Sequence, residues 1–154
     1  MFPKYPSRNY ETRINKVTTK IKPEHFEIEQ ILKSHFNTGL LAIYIFGSSI
    51  TEYETKNSDI DIAIMCGSKI DKIELWEITQ KIAIALNRDI DLLDLKSSST
   101  VMQMQVVANG LRIYSADEMA TEKFEDFVFS SYALLNEERK GILEDIKSRG
   151  SIYG

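Results

Sequence analysis

Apolar residues along the chain follow two periodicities, one typical of helices and one typical of strands. After Pro23, which suits the first turn of a helix, apolar side chains recur near the helical period through residue 37. Residues 40–46 then form a continuous apolar run between two glycines, which is typical of a buried strand. The same criteria predict strands at 58–65, 89–95 and 111–114. They also predict helices at 71–87, from a capping Ser98 to 109, and at 117–147, the last in one or two pieces.

The order of these elements predicts the fold. The helix at 71–87 connects the second strand to the third, and a strand, a crossover helix and a further strand usually form a parallel pair. No repeat and no low-complexity segment interrupts the pattern. We therefore predict a single α/β (α+β) domain, built as a small mixed sheet with helices packed on one face.

Length and composition agree with one domain. With 154 residues, of which 43% are hydrophobic, the chain can bury one core but not two of ordinary size. Its single cysteine, Cys66, excludes an internal disulfide and a cysteine-rich zinc site. No apolar run is long enough to span a bilayer, and the N-terminus lacks the apolar stretch of a signal peptide, so we expect a cytoplasmic protein without membrane contact.

Charge divides the chain into two parts. The net charge is -4, yet residues 1–22 hold six basic residues against the single acidic Glu11, so the remainder carries a net -9. We therefore separate a basic N-terminal extension, 1–22, from a domain at 23–154 that ends in a helical tail. The extension is compatible with a loosely ordered tail or with a docking arm for RNA or an acidic partner. The acidic domain argues against direct nucleic-acid binding as the main activity.

The stretch IFGSSITEYETKNSDIDIAI, residues 45–64, places acidic side chains on an otherwise apolar strand. Side chains alternate along a strand, so Asp59 and Asp61 share one face while Ile60 points to the other. Two like charges on a common face repel each other unless a cation lies between them. The pattern therefore predicts an acidic metal site on the sheet.

The third predicted strand, DIDLLDL, supplies a further carboxylate. If this strand pairs with the second, Asp91 can join Asp59 and Asp61. Asp89 has the same parity and competes for that role, whereas Asp94 falls on the opposite face as a structural or surface residue. Three carboxylates can hold two divalent ions that act on a phosphoryl group, and general preferences for oxygen ligation favour Mg²⁺.

Gly47 and Ser48 fit the other half of such a site. Glycine lets the backbone approach a phosphate closely, and the Ser48 hydroxyl and nearby amides can donate to its oxygens, especially if a short helix begins there. We therefore interpret the acidic strands as holding magnesium ions, which in turn hold a nucleotide.

These motifs resemble the signature of the nucleotidyltransferase superfamily with the DNA polymerase β fold. That signature is Gly-Ser, ten residues, Asp-x-Asp and a third acid on a following strand, as found here from Gly47 to Asp91. The size and the stretch SDIDIAI resemble the minimal nucleotidyltransferases. Through WEITQKIAIALNRDIDLLDLKSSSTVMQMQVVANGLRIYS and LLNEERKGILEDI, the chain resembles the MntA-type antitoxins of HEPN/MNT (HepT–MntA) toxin–antitoxin systems, over roughly residues 25–147.

The resemblance implies an activity that spacing alone does not. It implies Mg²⁺-dependent transfer of AMP from ATP to a tyrosine of a HEPN-domain ribonuclease toxin (HepT-like), with release of pyrophosphate, inside a hetero-oligomer. It places Gly47 and Ser48 on the family's phosphate-binding pair. It also places Asp59 and Asp61 on the metal ligands, and Asp91 on the third acid, which is our candidate for the general base.

One departure from the family pattern keeps other functions open. Many relatives carry Arg-Gly shortly after the Gly-Ser pair, where this chain has Thr51 and Glu52, and Lys56 is a candidate to supply the missing charge. A binding-only antitoxin that occludes the toxin is one alternative. A small-molecule transferase of the kind that modifies aminoglycosides is another.

The remaining polar and apolar features carry weaker signals. His25 and His35 both fall on the first predicted helix, so no serine or cysteine triad can be built from their spacing, and we expect surface or packing roles. The tail has more apolar residues between 124 and 135 than one core-facing stripe requires. One of its faces is therefore a candidate to bind the toxin or a second copy of the chain.

Overall fold

The computed structural model describes residues 21–50 and 58–150 of the chain. Nearly all of the predicted basic extension, and the loop positions Thr51, Glu52 and Lys56, lie outside the described residues. The described parts contain four strands and four long helices, with short 3₁₀ turns between several of them. In chain order these are α1 (Pro23–Phe36), β1 (Leu40–Phe46), β2 (Ile60–Cys66), α2 (Lys72–Leu86), β3 (Ile90–Asp94), α3 (Thr100–Asn109), β4 (Leu111–Ser115) and α4 (Glu118–Ser148).

The four strands form one mixed sheet in the order β3-β2-β1-β4. Strands β2 and β3 are parallel and are joined by α2, whereas β1 runs antiparallel to both β2 and β4. The predicted mixed sheet and its parallel crossover unit are confirmed, with strand ends that differ by one or two residues. β1 lies between β2 and β4 and consists of a continuous apolar run, so most of its residues are buried.

Helices cover both faces of this sheet, whereas the sequence pattern indicated only one. Side chains of α1 and α2 pack on one face, whose centre is formed by isoleucines of β1 and β2. The opposite face is covered by α3 and α4, through contacts such as Val106 and Phe124 against Tyr44 and Met65. The second layer exists because the other parity of both strands is apolar as well, so each face must be removed from water.

Two helix ends differ from the prediction in detail. Helix α3 is capped by Ser99, whose Oγ accepts a hydrogen bond from the amide of Met102 at 3.2 Å. Ser98, the predicted cap, instead donates its hydroxyl to the main-chain carbonyl of Asp94 at 2.9 Å. Helix α4 is one unbroken helix of 31 residues rather than two pieces.

Among the described residues, the buried positions of α4 all lie in its first half. It supplies the buried Thr121, Glu125 and Val128, and within residues 21–50 and 58–150 no position after Val128 is buried. Apolar residues of the second half, among them Leu134 and Ile142, are exposed. The expected binding of a partner to this helix stays a prediction.

None of the described helices is long and apolar enough to cross a membrane.

Cys66 and the two histidines have structural positions. Cys66 is buried at the end of β2, and burial raises the pKa of its thiol to about 11, so it stays protonated at neutral pH. His25 is buried near the start of α1. His35, at the other end of that helix, lies 3.0 Å from Glu74 of α2 and so links the two helices on this face.

Candidate active site

A tight turn follows β1 and begins at Gly47. The 3₁₀ turn Gly47–Ile50 leads directly from the strand, and Gly47 has φ +74°, a conformation that side chains with a Cβ rarely adopt. A Cβ at this position would overlap the Asp61 carboxylate, with only 3.1 Å to its Cγ. Glycine is therefore required here for two reasons, the positive φ angle and the close approach of the Asp61 carboxylate.

The Asp61 carboxylate is held at the centre of the acidic group by two strand pairings. In the antiparallel pairing Asp61 lies opposite Phe46, the residue before Gly47, and in the parallel pairing it lies opposite Asp91. Directly paired residues project from the same face of a sheet. Asp59 has the same parity and stands just before β2 begins, so all three predicted carboxylates belong to one face.

Electrostatics supports the same grouping. Partial burial, followed by the charges of Asp91 and then Asp59, raises the pKa of Asp61 above its ordinary value. Asp61 is half-buried, whereas Asp59 and Asp91 are exposed. The folded chain thus holds three mutually repelling carboxylates at a surface that solvent, a cation or a ligand can reach.

The structure separates Asp91 from the two other acids of its strand. Asp89 uses its main-chain carbonyl to accept the amide of Ile60 at 3.0 Å, and it does not contribute to the pKa shift of Asp61. Asp94 lies opposite Ile64 on the other face, where its Oδ2 accepts the Ser97 hydroxyl at 3.0 Å. Asp91 is therefore the acid placed beside Asp61, and Asp94 has a structural contact.

The chemistry of the group fits a divalent cation that is bound together with a nucleotide. Within residues 21–50 and 58–150, no three acidic, histidine or cysteine side chains converge as a ready-made metal cage. Mg²⁺ seldom uses such a cage, since it keeps several waters and combines one or two carboxylates with substrate phosphates. The repelling carboxylates, with the backbone of Gly47 close to Asp61, suit this mode of binding.

The predicted phosphate-binding pair lies next to the acidic group. Gly47 contacts Asp61 as described above, and Ser48 is exposed on the turn that Gly47 begins. Ser49, the next residue, is fully buried. The turn Gly47–Ile50 is a short 3₁₀ helix, which agrees with the phosphate interpretation, and Ser48 is the serine that is exposed at the surface.

Two basic residues that sequence reasoning missed bind the backbone around these motifs. Lys22 donates from Nζ to the main-chain carbonyl of Ser49 at 2.9 Å, and Arg88 donates from Nη2 to that of Ser58 at 2.6 Å. Because both acceptors are main-chain atoms 27 and 30 residues away, no spacing or motif in the sequence could have indicated these contacts.

Comparison with known protein families identifies the family of this chain. A model of the family described as "Polymerase beta, Nucleotidyltransferase" matches residues 27–119. The chain belongs to this nucleotidyltransferase family. The matched region contains all five predicted site residues and runs from α1 to the start of α4. The resemblance inferred from the sequence is thus confirmed, and the nucleotidyltransferase activity class with it.

Individual relatives are similar over most of the chain. Protein adenylyltransferase MntA of Shewanella oneidensis is 41% identical over 107 residues, which are 70% of this chain and 76% of the relative. A crystal structure of a toxin–antitoxin with AMP-PNP superposes with a TM-score of 0.71 at 37% identity, covering 82% of this chain and 99% of that one. A structure of tri-AMPylated Shewanella oneidensis HEPN toxin with MNT antitoxin gives a TM-score of 0.67 at 36% identity, covering 80% and 96% of the two chains.

Proposed function

We propose that this nucleotidyltransferase is an antitoxin that transfers AMP from ATP to a tyrosine of a HEPN-domain ribonuclease toxin and so neutralises it. The observation that carries the proposal is the pairing of Asp61 with Asp91, against Gly47, in a chain 41% identical to a protein adenylyltransferase. The AMP-PNP complex and the AMPylated toxin complex of similar chains support ATP as the donor and a protein as the acceptor.

The residues divide into a phosphate-binding half and a carboxylate half. Gly47 and Ser48 would bind phosphate oxygens of ATP through the backbone and the serine hydroxyl. Asp59, Asp61 and Asp91 would hold Mg²⁺ in a two-ion site. The bound metal would offset the negative charge that builds up on the phosphoryl oxygens during transfer.

The transfer is an in-line displacement at the α-phosphorus of ATP. The tyrosine oxygen forms a bond to this phosphorus while the bond to the oxygen bridging the α- and β-phosphates breaks, so pyrophosphate leaves with that oxygen. Asp91, which is exposed at the edge of the acidic group, accepts the tyrosine proton. Its place on β3, rather than on a mobile loop, holds the accepting oxygen in a defined position.

The toxin is bound as a protein substrate in a hetero-oligomer. The AMPylated toxin in complex with a similar chain supports a protein acceptor rather than a small molecule. We place the reaction in the cytoplasm, where ATP and a ribonuclease's RNA targets are both available.

Intact mass of the cognate toxin tests the proposal. After incubation with this protein, Mg²⁺ and each nucleoside triphosphate in turn, we expect a gain of about 329 Da, or a multiple, with ATP alone. Asp61→Asn should abolish the gain. Asp94→Asn is the matched control, because it removes a carboxylate from the opposite face of the neighbouring strand, and it should retain transfer.

The alternative outcome has a distinct signature. If the toxin keeps its mass while forming a stable complex without ribonuclease activity, and if Asp61→Asn neutralises it equally well, the protein acts by occlusion. That result would refute the transfer reaction and leave a binding-only antitoxin.

A further inference from the structure

One end of helix α1 contacts both halves of the candidate site. Lys22 directly precedes the helix, and its Nζ donates to the Ser49 carbonyl in the turn that carries Gly47 and Ser48. The backbone of Lys22 is itself fixed by His25, which is buried. The Lys22 amide donates to Nδ1 of His25 at 3.2 Å, and the His25 amide donates to the Lys22 carbonyl at 3.0 Å.

Arg88 makes the corresponding contact with the carboxylate half. It follows α2, and besides the 2.6 Å hydrogen bond to the Ser58 carbonyl, its Nη1 lies 2.9 Å from Oε2 of Glu24. Glu24 belongs to the first turn of α1. The two side chains are only 16% and 20% exposed, so this ion pair lies in a partly desolvated environment, where charged hydrogen bonds are strong.

The two acceptor residues border the two motifs. Ser49 directly follows Ser48, and Ser58 directly precedes Asp59, so the two contacts lie at either end of the segment that separates the motifs. Asp59 stands before the first residue of β2, where sheet hydrogen bonds alone fix the chain less firmly.

We propose that Lys22, Glu24 and Arg88 form a clamp that sets the position of the Gly-Ser turn relative to the Asp-x-Asp strand. The inference rests on the proposed function and assigns Lys22 and Arg88 as positioning residues for it. They act through backbone carbonyls, outside the set of residues that contact nucleotide or metal. Arg88 serves the carboxylate half, and Lys22 serves the phosphate half.

This division predicts different effects for the two residues. Arg88→Ala releases the backbone before Asp59 and should weaken divalent-metal binding by about tenfold or more, as loss of supporting contacts around metal ligands commonly does. Arg88→Lys, which keeps a donor, should recover part of that loss. Lys22→Ala should raise the KM for ATP several-fold and leave metal affinity nearly unchanged.

Metal binding can be measured without catalysis. The full-length protein is titrated with Mn²⁺ in the presence of a non-hydrolysable ATP analogue, and the free Mn²⁺ signal is followed by electron paramagnetic resonance. The KM for ATP comes from AMP transfer to the toxin at saturating Mg²⁺. Val128→Ala is the control for general destabilisation, because it removes methyl groups from a fully buried position on α4.

The outcomes separate the clamp from the proposed function. If Arg88→Ala lowers the melting temperature as Val128→Ala does but binds Mn²⁺ like the wild type, the clamp is refuted and the proposed function stands. If Arg88→Lys is as defective as Arg88→Ala, and Lys22→Ala leaves the KM for ATP unchanged, the clamp is likewise refuted. If the wild-type protein itself binds no Mn²⁺ with the analogue, both the proposed function and the clamp are overturned.

Discussion

Two groups of charged residues lie on the same face of the sheet and differ in whether their charges are balanced by partners. The acidic group Asp59, Asp61 and Asp91 has like charges at a surface, and partial burial followed by repulsion raises the pKa of Asp61. The second group surrounds Glu125, which is completely buried yet lies 2.9 Å from the guanidinium of Arg112. Among the described residues, no basic side chain lowers the pKa of Asp61, whereas in the second, compensated group Glu125 is paired with Arg112 and Tyr44.

The compensated group ties α4 to the centre of the sheet. The Tyr44 hydroxyl donates to Oε1 of Glu125 at 2.8 Å, while Arg112 of β4 contacts both Glu125 and Glu118. Burial and the adjacent Glu125 charge raise the pKa of Tyr44 so far that its hydroxyl remains protonated and can donate. Burial lowers the pKa of Arg112, but Glu125, Tyr44 and Glu118 together raise it more, so the guanidinium remains charged.

The contrast separates charges that serve the fold from charges that serve the site. A buried charge whose partners are present in the chain stabilises one arrangement of helix and sheet. Carboxylates that repel each other reduce stability, and such a group at a surface marks a candidate functional site. This difference predicts opposite responses to substitution.

The largest expected effect is on catalysis. Asp61→Asn removes the central carboxylate and should lower the rate of AMP transfer by at least about a thousandfold, since metal stabilisation of the transferred group is worth several kcal/mol. The same change should raise thermal stability slightly, because it removes a repelling charge. Transfer assays and thermal melts on one sample check both, and a loss of stability together with activity would contradict the comparison.

A comparable effect on stability is expected in the compensated group. Glu125→Gln leaves the largely buried Arg112 without its innermost carboxylate, which should cost about 3–5 kcal/mol of unfolding free energy. Urea denaturation measures the change. Activity per folded molecule should stay close to that of the wild type.

An apolar replacement sharpens this test. The triple variant Tyr44→Phe, Arg112→Met and Glu125→Leu removes all three polar partners together, so no buried charge is left unpaired. It should recover most of the stability lost in Glu125→Gln. If the triple variant is no more stable than the single one, interactions outside the group must account for the loss.

A smaller effect is expected at the turn beside the acidic group. Gly47→Ala forces a Cβ into a left-handed conformation and against Asp61, at a cost of about 1–3 kcal/mol. Transfer should fall as well, because the Asp61 carboxylate must move. Gly39→Ala is the matched control, since a Cβ there has no neighbour within 4 Å, and it should leave both stability and transfer nearly unchanged.

The smallest effect is the pH dependence of stability. Because folding raises the pKa of Asp61 above 3.8, the folded protein binds more protons than the unfolded one just above that pH. The Asp61 contribution to stability is therefore favourable in acid and is lost as pH rises through the folded pKa. Urea titrations across the mildly acidic range should show this loss in the wild type and in Asp94→Asn, and a flatter profile in Asp61→Asn.

Local patterns predicted most of the elements correctly. The apolar run at 40–46 and the helical stripe at 71–87 each bury one or more faces, and such segments have few alternative structures. The alternation in β2 and β3 also predicted which acids share a face. Asp91, rather than Asp89, lies beside Asp61 because register depends on pairing across the sheet, which parity alone cannot decide.

Long-range contacts accounted for most of what was missed. The second helical layer is needed because alternate residues of β1 and β2 are apolar on that face of the sheet too. Sequence periodicity does not say which helices cover this face. Ser99 caps α3 in place of Ser98 because the Ser98 hydroxyl is engaged by Asp94, a choice that two adjacent serines do not reveal. The buried charge network joins residues up to 81 positions apart, and no local signal links them.

The sequence by itself predicted the chemistry that we propose for this protein. Strand alternation predicts acids on one face whatever the surrounding fold, and so a metal and nucleotide site. The resemblance carried by Gly47, Ser48, Asp59, Asp61 and Asp91 adds the nucleotidyltransferase family, which the family comparison confirms. Tertiary structure alone decided which carboxylates meet, which charges are neutralised, and how α1 reaches the loops of the site. Those outcomes depend on contacts between distant segments, since hydrogen bonds and charge pairs act through space and leave no periodicity in the chain.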